Sequence, residues 1–118
     1  MNDRLNRLIE LIKGQLRLAY FDAKRCHDKL LSVHNDFENE QRALVFLNRA
    51  ARHMDLAYSL YQSYQEELEH YSVTPIFPAF DVFYDEVTEN IATDHSHQWS
   101  DIEFEAVAKR IDVAQRMS

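Results

Sequence analysis

Glycine and proline are almost missing from this chain, which has one glycine and two prolines in 118 residues. Hairpin-rich β folds need turn residues every ~8–12 positions, so this composition excludes a β sandwich or an antiparallel barrel. A single glycine also excludes the glycine-rich loops that hold phosphates. A cluster of helix-breaking residues, which includes both prolines, occurs once, at residues 72–78. We therefore expect an all-α fold with long helices, in a single helical domain over residues 1–118.

Cysteine is equally scarce, since Cys26 is the only one in the chain. One cysteine excludes an internal disulfide and any zinc site built from several cysteines. No apolar run approaches the ~20 residues that are needed to span a bilayer. The charged residues Asp3 and Arg4 do not fit a signal peptide. These absences predict a cytoplasmic protein that makes no use of a membrane.

Lysine and arginine are missing from residues 53–108, although this stretch of 56 positions holds 12 of the 20 acidic and 10 of the 14 aromatic residues. Residues 1–53 carry 10 basic and 7 acidic side chains, a net charge of +3. Residues 54–118 carry 3 basic and 13 acidic side chains, a net charge of −10. The total of −7 argues against direct binding of nucleic acid and directs attention to protein partners.

Apolar residues at three- and four-residue steps predict two long helices, over residues 3–31 and 37–71, that form an antiparallel hairpin. The first apolar stripe contains Leu5, Leu8, Ile9, Ile12, Leu16, Ala19, Ala23, Cys26 and Leu30. Leu11, Leu18 and Phe21 widen it toward a second face. The second stripe contains Ala43, Phe46, Leu47, Ala50, Met54, Ala57, Tyr61, Tyr64, Leu68 and Tyr71. Gly14 interrupts the first helix, either as a weak point or at a close helix crossing.

Two shorter helices are predicted over residues 78–92 and 100–115. The first has its inner face at Phe80, Phe83, Tyr84, Val87 and Ile91. The second begins with Ser100 and Glu103 in the spacing of a capping box. A hairpin longer than the helices that cover it leaves apolar surface, so we expect a homodimer, the commonest symmetric assembly.

The acidic stretch has three interpretations. Its carboxylates pair with the basic hairpin inside the molecule, or they form a surface for a basic protein partner, or they imitate a nucleic-acid backbone. An acidic surface would speed association and make binding sensitive to salt. The leading hypothesis is therefore a non-enzymatic interaction or regulatory protein that docks a basic partner through an acidic, aromatic-rich face.

The residues predicted to carry this docking are acidic side chains and three aromatic anchors. The carboxylates are Glu66, Glu67, Glu69, Asp81, Asp85, Glu86 and Glu89, and the anchors are Tyr64, Tyr71 and Trp99. Tyrosine and tryptophan suit surfaces where one end of the side chain is apolar and the other is wet. No cofactor, metal site or catalytic residue is predicted.

Two alternatives come from other classes of protein. The pairs Glu66-x-x-Glu69 and Glu86-x-x-Glu89 loosely resemble the acidic motifs of magnesium-dependent all-α nucleotide pyrophosphatases, which implies a small metal-dependent nucleotide hydrolase. Basic residues that would hold a triphosphate are absent nearby. The aromatic stripe of the second helix is also compatible with a helical bundle that binds a small ligand.

Three histidine patterns were weighed against plainer readings. Glu67 and His70 have the spacing that ferritin-like bundles use twice, but the chain has one such pair. Residues 94–97 hold two histidines and an aspartate in a loop without an evident third ligand. Arg49 and His53 resemble the Arg and His pair of helical ribonuclease domains, but with three intervening residues instead of four to six. We read the first two as polar surface, and the spacing of Arg49 and His53 removes the main support for a nuclease.

Overall fold

The computed structural model describes residues 3–31, 37–93 and 98–117, and this part of the chain consists of four α-helices with no strand. The helices are α1 (Asp3–Leu30), α2 (Phe37–Ser63), α3 (Ile76–Thr93) and α4 (Gln98–Arg116). α1 and α2 form a long antiparallel hairpin, α3 packs mainly on α4, and α4 also packs on α1. The molecule measures 52 × 20 × 19 Å. The prediction of an all-α bundle with two long and two shorter helices is confirmed.

The hairpin seam is built from small side chains. The alanines that meet in it, all fully buried, are Ala19, Ala23, Ala43, Ala50 and Ala57. Their size lets the two helices approach closely, while Leu16 and Leu47 fill the remaining space. Every residue of the predicted α1 stripe is buried except Leu5, which is partly buried.

The second apolar face predicted for α1 is not covered by the described part of the chain. Leu11, Leu18 and Phe21 are 47%, 46% and 48% exposed. Gly14 lies on the same side of the helix, and a Cβ atom at Gly14 would meet no atom within 4 Å. Gly14 therefore does not mark a close helix crossing within the molecule.

α2 ends at Ser63, well before the predicted end at Tyr71. Residues 64–70 form successive turns, in which the Leu68 amide donates to the Tyr64 carbonyl at 3.0 Å. The change of direction lets Leu68 and Tyr71 bury almost completely at the end of the hairpin. The apolar spacing continues through Tyr71, so burial of these side chains, rather than local propensity, decides where the helix stops.

The shorter helices begin earlier than predicted. α3 starts at Ile76, which places Pro78 in the first turn, where a missing N–H costs nothing. α4 starts at Gln98, so Ser100 lies inside the helix instead of capping it. The Ser100 hydroxyl is buried and has no hydrogen-bond partner in the described structure. The predicted capping box is therefore wrong.

Aromatic rings join α3 and α4 to the hairpin. The Phe83 ring centroid lies 5.9 Å from that of Phe104 and 6.3 Å from that of Phe80. Phe104 in turn stacks on His27 of α1 at 4.7 Å. Bulky side chains thus fill the space between these helices, in contrast to the alanine seam of the hairpin. Within the described ranges, no helix has the length and apolarity to cross a bilayer.

Candidate functional site

The predicted acidic residues occupy two places in the fold. Glu66, Glu67 and Glu69 lie in the turns that follow α2 and are exposed. The others lie on α3: Asp81, Asp85 and Glu89 are exposed, and Glu86 is partly buried. Asp81, Asp85 and Glu89 are four residues apart in sequence, so they follow one another along one side of the helix. We call these three residues the α3 carboxylates.

Among the described residues, Glu67 alone of the seven predicted carboxylates makes an ion pair. Its Oε2 atom accepts a hydrogen bond from Arg4 Nη1 at 2.5 Å. The hydrogen bond and the charge of Glu67 raise the pKa of the Arg4 guanidinium. Glu86 accepts a hydrogen bond from the Asn90 amide at 3.2 Å. The arginines of the hairpin therefore do not neutralise the α3 carboxylates by direct contact.

The three predicted aromatic anchors differ in how the structure places them. Tyr64 is partly buried, and the Arg4 guanidinium lies 5.0 Å from its ring centroid. Tyr71 is 1% exposed and its hydroxyl donates to the Ala114 carbonyl at 3.3 Å. Tyr71 is thus a core side chain and cannot reach a partner, so its prediction as an anchor is wrong. The side chain of Trp99 lies outside the described residues.

A cleft of about 1060 Å³ runs between α2 and α3, which contact each other only sparsely. Its floor is apolar and includes Met54, Phe77 and Phe80. Tyr58 stands at the rim, 45% exposed, with its ring edge-to-face with Phe77 at 5.0 Å. Across the cleft, the Tyr84 hydroxyl donates to the Asn48 side chain at 3.3 Å. We call this feature the α2–α3 cleft.

Charged groups line the α2–α3 cleft unevenly. Asp55 of α2 and Asp81 of α3 contribute carboxylates, and Arg49 and Arg52 contribute guanidinium groups farther toward the start of α2. Asp81 is also the first of the α3 carboxylates, so the cleft opens onto that acidic side of the helix. At the end of the cleft that Asp55 and Asp81 line, an apolar floor with tyrosines and carboxylates at the rim suits a segment that is both apolar and basic, whereas Arg49 and Arg52 oppose such a segment at the other end.

The structure gives no support to a metal centre at the paired glutamates. Glu66 and Glu69 border a shallow depression near Tyr61, and no residue of α3 lines it. In residues 3–31, 37–93 and 98–117, no group of three or more His, Cys, Asp or Glu side chains is arranged to hold a metal ion. The histidine loop at residues 94–97 lies outside the described residues.

A second polar site, around Asp22, was not predicted from the sequence. Asp22 is 3% exposed, yet its carboxylate lies 3.4 Å from Arg25 Nη1 and 3.5 Å from Arg49 Nε. His53 Nε2 is 3.8 Å from the same carboxylate. His53 Nδ1 donates to the Gln15 side-chain oxygen at 2.8 Å. We call Asp22, Arg25, Arg49 and His53 the Asp22 cluster.

The Asp22 cluster brings together residues that the sequence had shown only in part. Arg49 and His53 are four residues apart and therefore share a helix face, which the spacing alone could indicate. Asp22 lies on the other helix, and it meets them only because of the register of the α1–α2 hairpin. No pattern within either helix specifies that register, so the cluster was missed.

A buried histidine links α1 to the start of α4. His27 Nε2 lies 2.9 Å from Asp101 Oδ1, and its buried Nδ1 atom has no hydrogen-bond partner among the described residues. The neighbouring Cys26 is fully buried in the hairpin seam, and burial raises the pKa of its thiol to about 12. A thiol of this kind is inert, which agrees with reading Cys26 and His27 as structural residues.

No family model, no curated protein and no solved structure matches this chain.

Proposed function

We propose that this chain is a non-enzymatic interaction or regulatory protein that docks a basic, amphipathic helix of a protein partner. The docking surface consists of the α2–α3 cleft and the α3 carboxylates beside it. The observation that carries the proposal is the exposure of Asp81, Asp85 and Glu89, which make no ion pair with any described residue, next to an apolar cleft.

The cleft and the carboxylates would contribute different parts of the binding free energy. Apolar side chains of the partner would be buried against Phe77 and Phe80 at the cleft floor. This burial would provide the hydrophobic contribution to the binding free energy. Lysine or arginine side chains would lay their aliphatic stems over Tyr58 and Tyr84 and place their charges near the α3 carboxylates. The charges would mainly raise the association rate and make the affinity depend on salt.

An amphipathic helix fits this surface better than an extended strand. Two helices form the walls of the cleft, and the described part of the chain has no sheet edge to which a strand could add. A third helix lying between α2 and α3 would present its apolar side to the floor. Its flanking basic residues would then follow the four-residue spacing of Asp81, Asp85 and Glu89.

The test is the affinity of a labelled 18-residue helical peptide with leucines on one side and lysines on the flanks, measured by fluorescence anisotropy. We expect the variant Asp81→Asn/Asp85→Asn/Glu89→Gln, the neutral triple, to bind about tenfold more weakly, because three exposed charge pairs are worth ~0.5 kcal/mol each. Ala51→Gln, which fills the cleft without changing the charge, should also weaken binding.

The matched control is Glu10→Gln/Glu105→Gln/Asp112→Asn, the control triple, which changes the net charge equally on exposed parts of α1 and α4. It should bind within about threefold of the unaltered protein, since only its long-range charge effect is lost. Equal losses in both triples, with no effect of Ala51→Gln, would show that the peptide senses net charge and not this surface.

We also propose the homodimer expected from the sequence, with a second copy covering the exposed side of the hairpin. The half-exposed Leu11, Leu18 and Phe21 of α1, together with Leu56 of α2, support this proposal. Leu18→Glu should give a monomer in sedimentation equilibrium if the proposal is right, whereas a monomeric parent protein would refute it. The cytoplasmic location stays a prediction.

A further inference from the structure

The Asp22 cluster places more cations than anions at one point of the hairpin surface. Two guanidinium groups, those of Arg25 and Arg49, contact a single carboxylate, and His53 adds a third group that carries positive charge when protonated. By contrast, Arg42 pairs with Glu38 alone at 2.6 Å, and Arg116 pairs with Asp112 alone at 3.2 Å. The cluster is therefore not fully neutralised by its own residues.

The orientation of these groups leaves donors available on the outer side. The Asp22 side chain is 4% exposed, whereas those of Arg25 and Arg49 are 58% and 57% exposed. Arg49 approaches Asp22 through its Nε atom. Each guanidinium group carries five N–H donors, and the exposure of both arginine side chains leaves donors that Asp22 does not occupy accessible to a ligand.

Stability alone does not account for a carboxylate buried in an apolar seam. Replacing a buried ionic group together with its partners by apolar side chains is often neutral or stabilising. A buried carboxylate that holds two arginines in place has a clearer use where those arginines bind something. Guanidinium groups held in a fixed orientation match the geometry of a phosphate oxyanion, with two parallel N–H donors to two oxygens.

We infer that the Asp22 cluster is a binding site for a phosphate group, in which Arg25 and Arg49 contact the oxyanion and Asp22 and Gln15 are positioning residues. Arg52, three residues after Arg49 on the outer part of α2, makes no ion pair in the described ranges and adds further positive charge. The inference concerns a ligand of opposite charge to the proposed docking partner, and Arg49 and Arg52 are the residues that the two sites share.

The phosphate comes either from inorganic phosphate or from the phosphate of a small organic molecule such as a nucleotide. The Phe46 ring, which is partly buried and lies 5.8 Å from Arg25 Cζ and 6.0 Å from Arg49 Cζ, offers apolar surface for an attached organic group. The two sources share the oxyanion, and they differ in whether that apolar surface contributes to affinity.

The first test compares thermal unfolding in sodium phosphate with unfolding in sodium chloride of equal ionic strength. We expect 50 mM phosphate to raise Tm by about 2–4 °C, because a ligand that binds only the folded state stabilises it by mass action. Arg49→Gln and Arg25→Gln should each lose most of this shift. Arg110→Gln should keep it, since Arg110 belongs to α4 and donates to the Ala106 carbonyl of its own helix.

A second measurement does not depend on how well the variants fold. In the unaltered protein, the Nε–Hε NMR signals of Arg25 and Arg49 should shift saturably with inorganic phosphate, and that of Arg110 should not. Adenosine monophosphate that binds at least tenfold more tightly than phosphate supports a site for an organic phosphate. Equal affinity supports inorganic phosphate. Signals that do not shift, or that shift equally for Arg110, overturn the inference.

Discussion

The hairpin and α3 differ in whether their charged side chains form ion pairs. On α1 and α2, basic side chains contact acidic ones close by, as Lys24 does with Asp28 at 3.1 Å and Arg49 does with Asp22 at 3.5 Å. On α3, the exposed carboxylates of Asp81, Asp85 and Glu89 contact no described cation. The uneven charge of the sequence is thus not a pair of halves that cancel each other residue by residue.

The same two regions differ in how they are packed. Alanines bring the hairpin helices close together, whereas phenylalanine rings fill the space between α3, α4 and α1. α3 touches α2 only sparsely, and this spacing leaves the cleft. The hairpin is therefore the closely packed part of the protein and holds several ion pairs, and α3 carries the open surface.

The largest expected difference between the regions is in thiol reactivity. In a Val82→Cys variant, the new thiol on exposed α3 should react with iodoacetamide at pH 8 at least about 10³-fold faster than Cys26. Burial raises the pKa of Cys26 from 9.0 to about 12, so the reactive thiolate is scarce in the folded state. Mass spectrometry of the two peptides gives both rates, and similar rates would show that the hairpin seam opens readily.

The same pKa shift implies a pH dependence of stability. A thiol whose pKa is raised on folding binds its proton more tightly in the folded state than in the unfolded one. Its contribution is fully present below pH ~9 and is lost as the pH rises toward ~12. Burial also raises the pKa of Tyr71, in the same direction. The free energy of unfolding should therefore fall between pH 9 and 11, by less in Cys26→Ala.

Truncation of the aromatic core should have the next largest effect. Phe83→Ala removes a fully buried ring between α3 and α4 and should lower the free energy of unfolding by ~3–5 kcal/mol in urea. Val82→Ala, one residue away and 49% exposed, serves as the control and should cost under ~1 kcal/mol. A small loss for Phe83→Ala would mean that α3 is loosely held and that the cleft is not a fixed shape.

Replacing aspartate by asparagine in each region compares the stability contributed by a paired carboxylate with that contributed by an unpaired one. Asp22→Asn should cost ~1–2 kcal/mol at pH 7, because the guanidinium groups of Arg25 and Arg49 lose their counter-charge while remaining partly solvated. Asp85→Asn should change stability by no more than ~0.5 kcal/mol. Equal effects in chemical denaturation would contradict the contrast between the hairpin and α3.

The smallest expected effect is at Gly14. Within one copy of the chain, Gly14→Ala should raise the free energy of unfolding by ~0.5–1 kcal/mol, since alanine restricts the unfolded chain and the new methyl group meets no atom of the described fold within 4 Å. A loss of stability that grows with protein concentration would instead place Gly14 at a contact between two copies. Urea denaturation at two concentrations distinguishes these results.

The sequence predicted the helices well where one apolar stripe governs one helix. The stripe from Leu8 to Leu30 indicated α1 to within a residue of its observed end. The end of α2 was wrong because Leu68 and Tyr71 keep helical spacing while they bury through turns that depend on the rest of the fold. For the same reason, Tyr71 was assigned to a surface.

The candidate sites depend even more on contacts between helices. The sequence named Asp81, Asp85 and Glu89 among seven docking carboxylates, and the structure places these three, exposed, on α3. The α2–α3 cleft results from two helices that do not close against each other, and the Asp22 cluster results from the register of α1 against α2. The residues of a single helix determine neither arrangement, so neither was predicted.

The central claim, that the α3 carboxylates are unpaired, is tested most directly by the salt dependence of stability. Urea unfolding of the unaltered protein and the neutral triple is compared in 20 mM and 500 mM sodium chloride, with the control triple alongside. We predict that salt stabilises the unaltered protein by ~0.5–1 kcal/mol and that the neutral triple is already more stable at low salt and gains less than half as much. A neutral triple that is less stable than the unaltered protein at 20 mM salt would show that these carboxylates are paired, and would contradict the account.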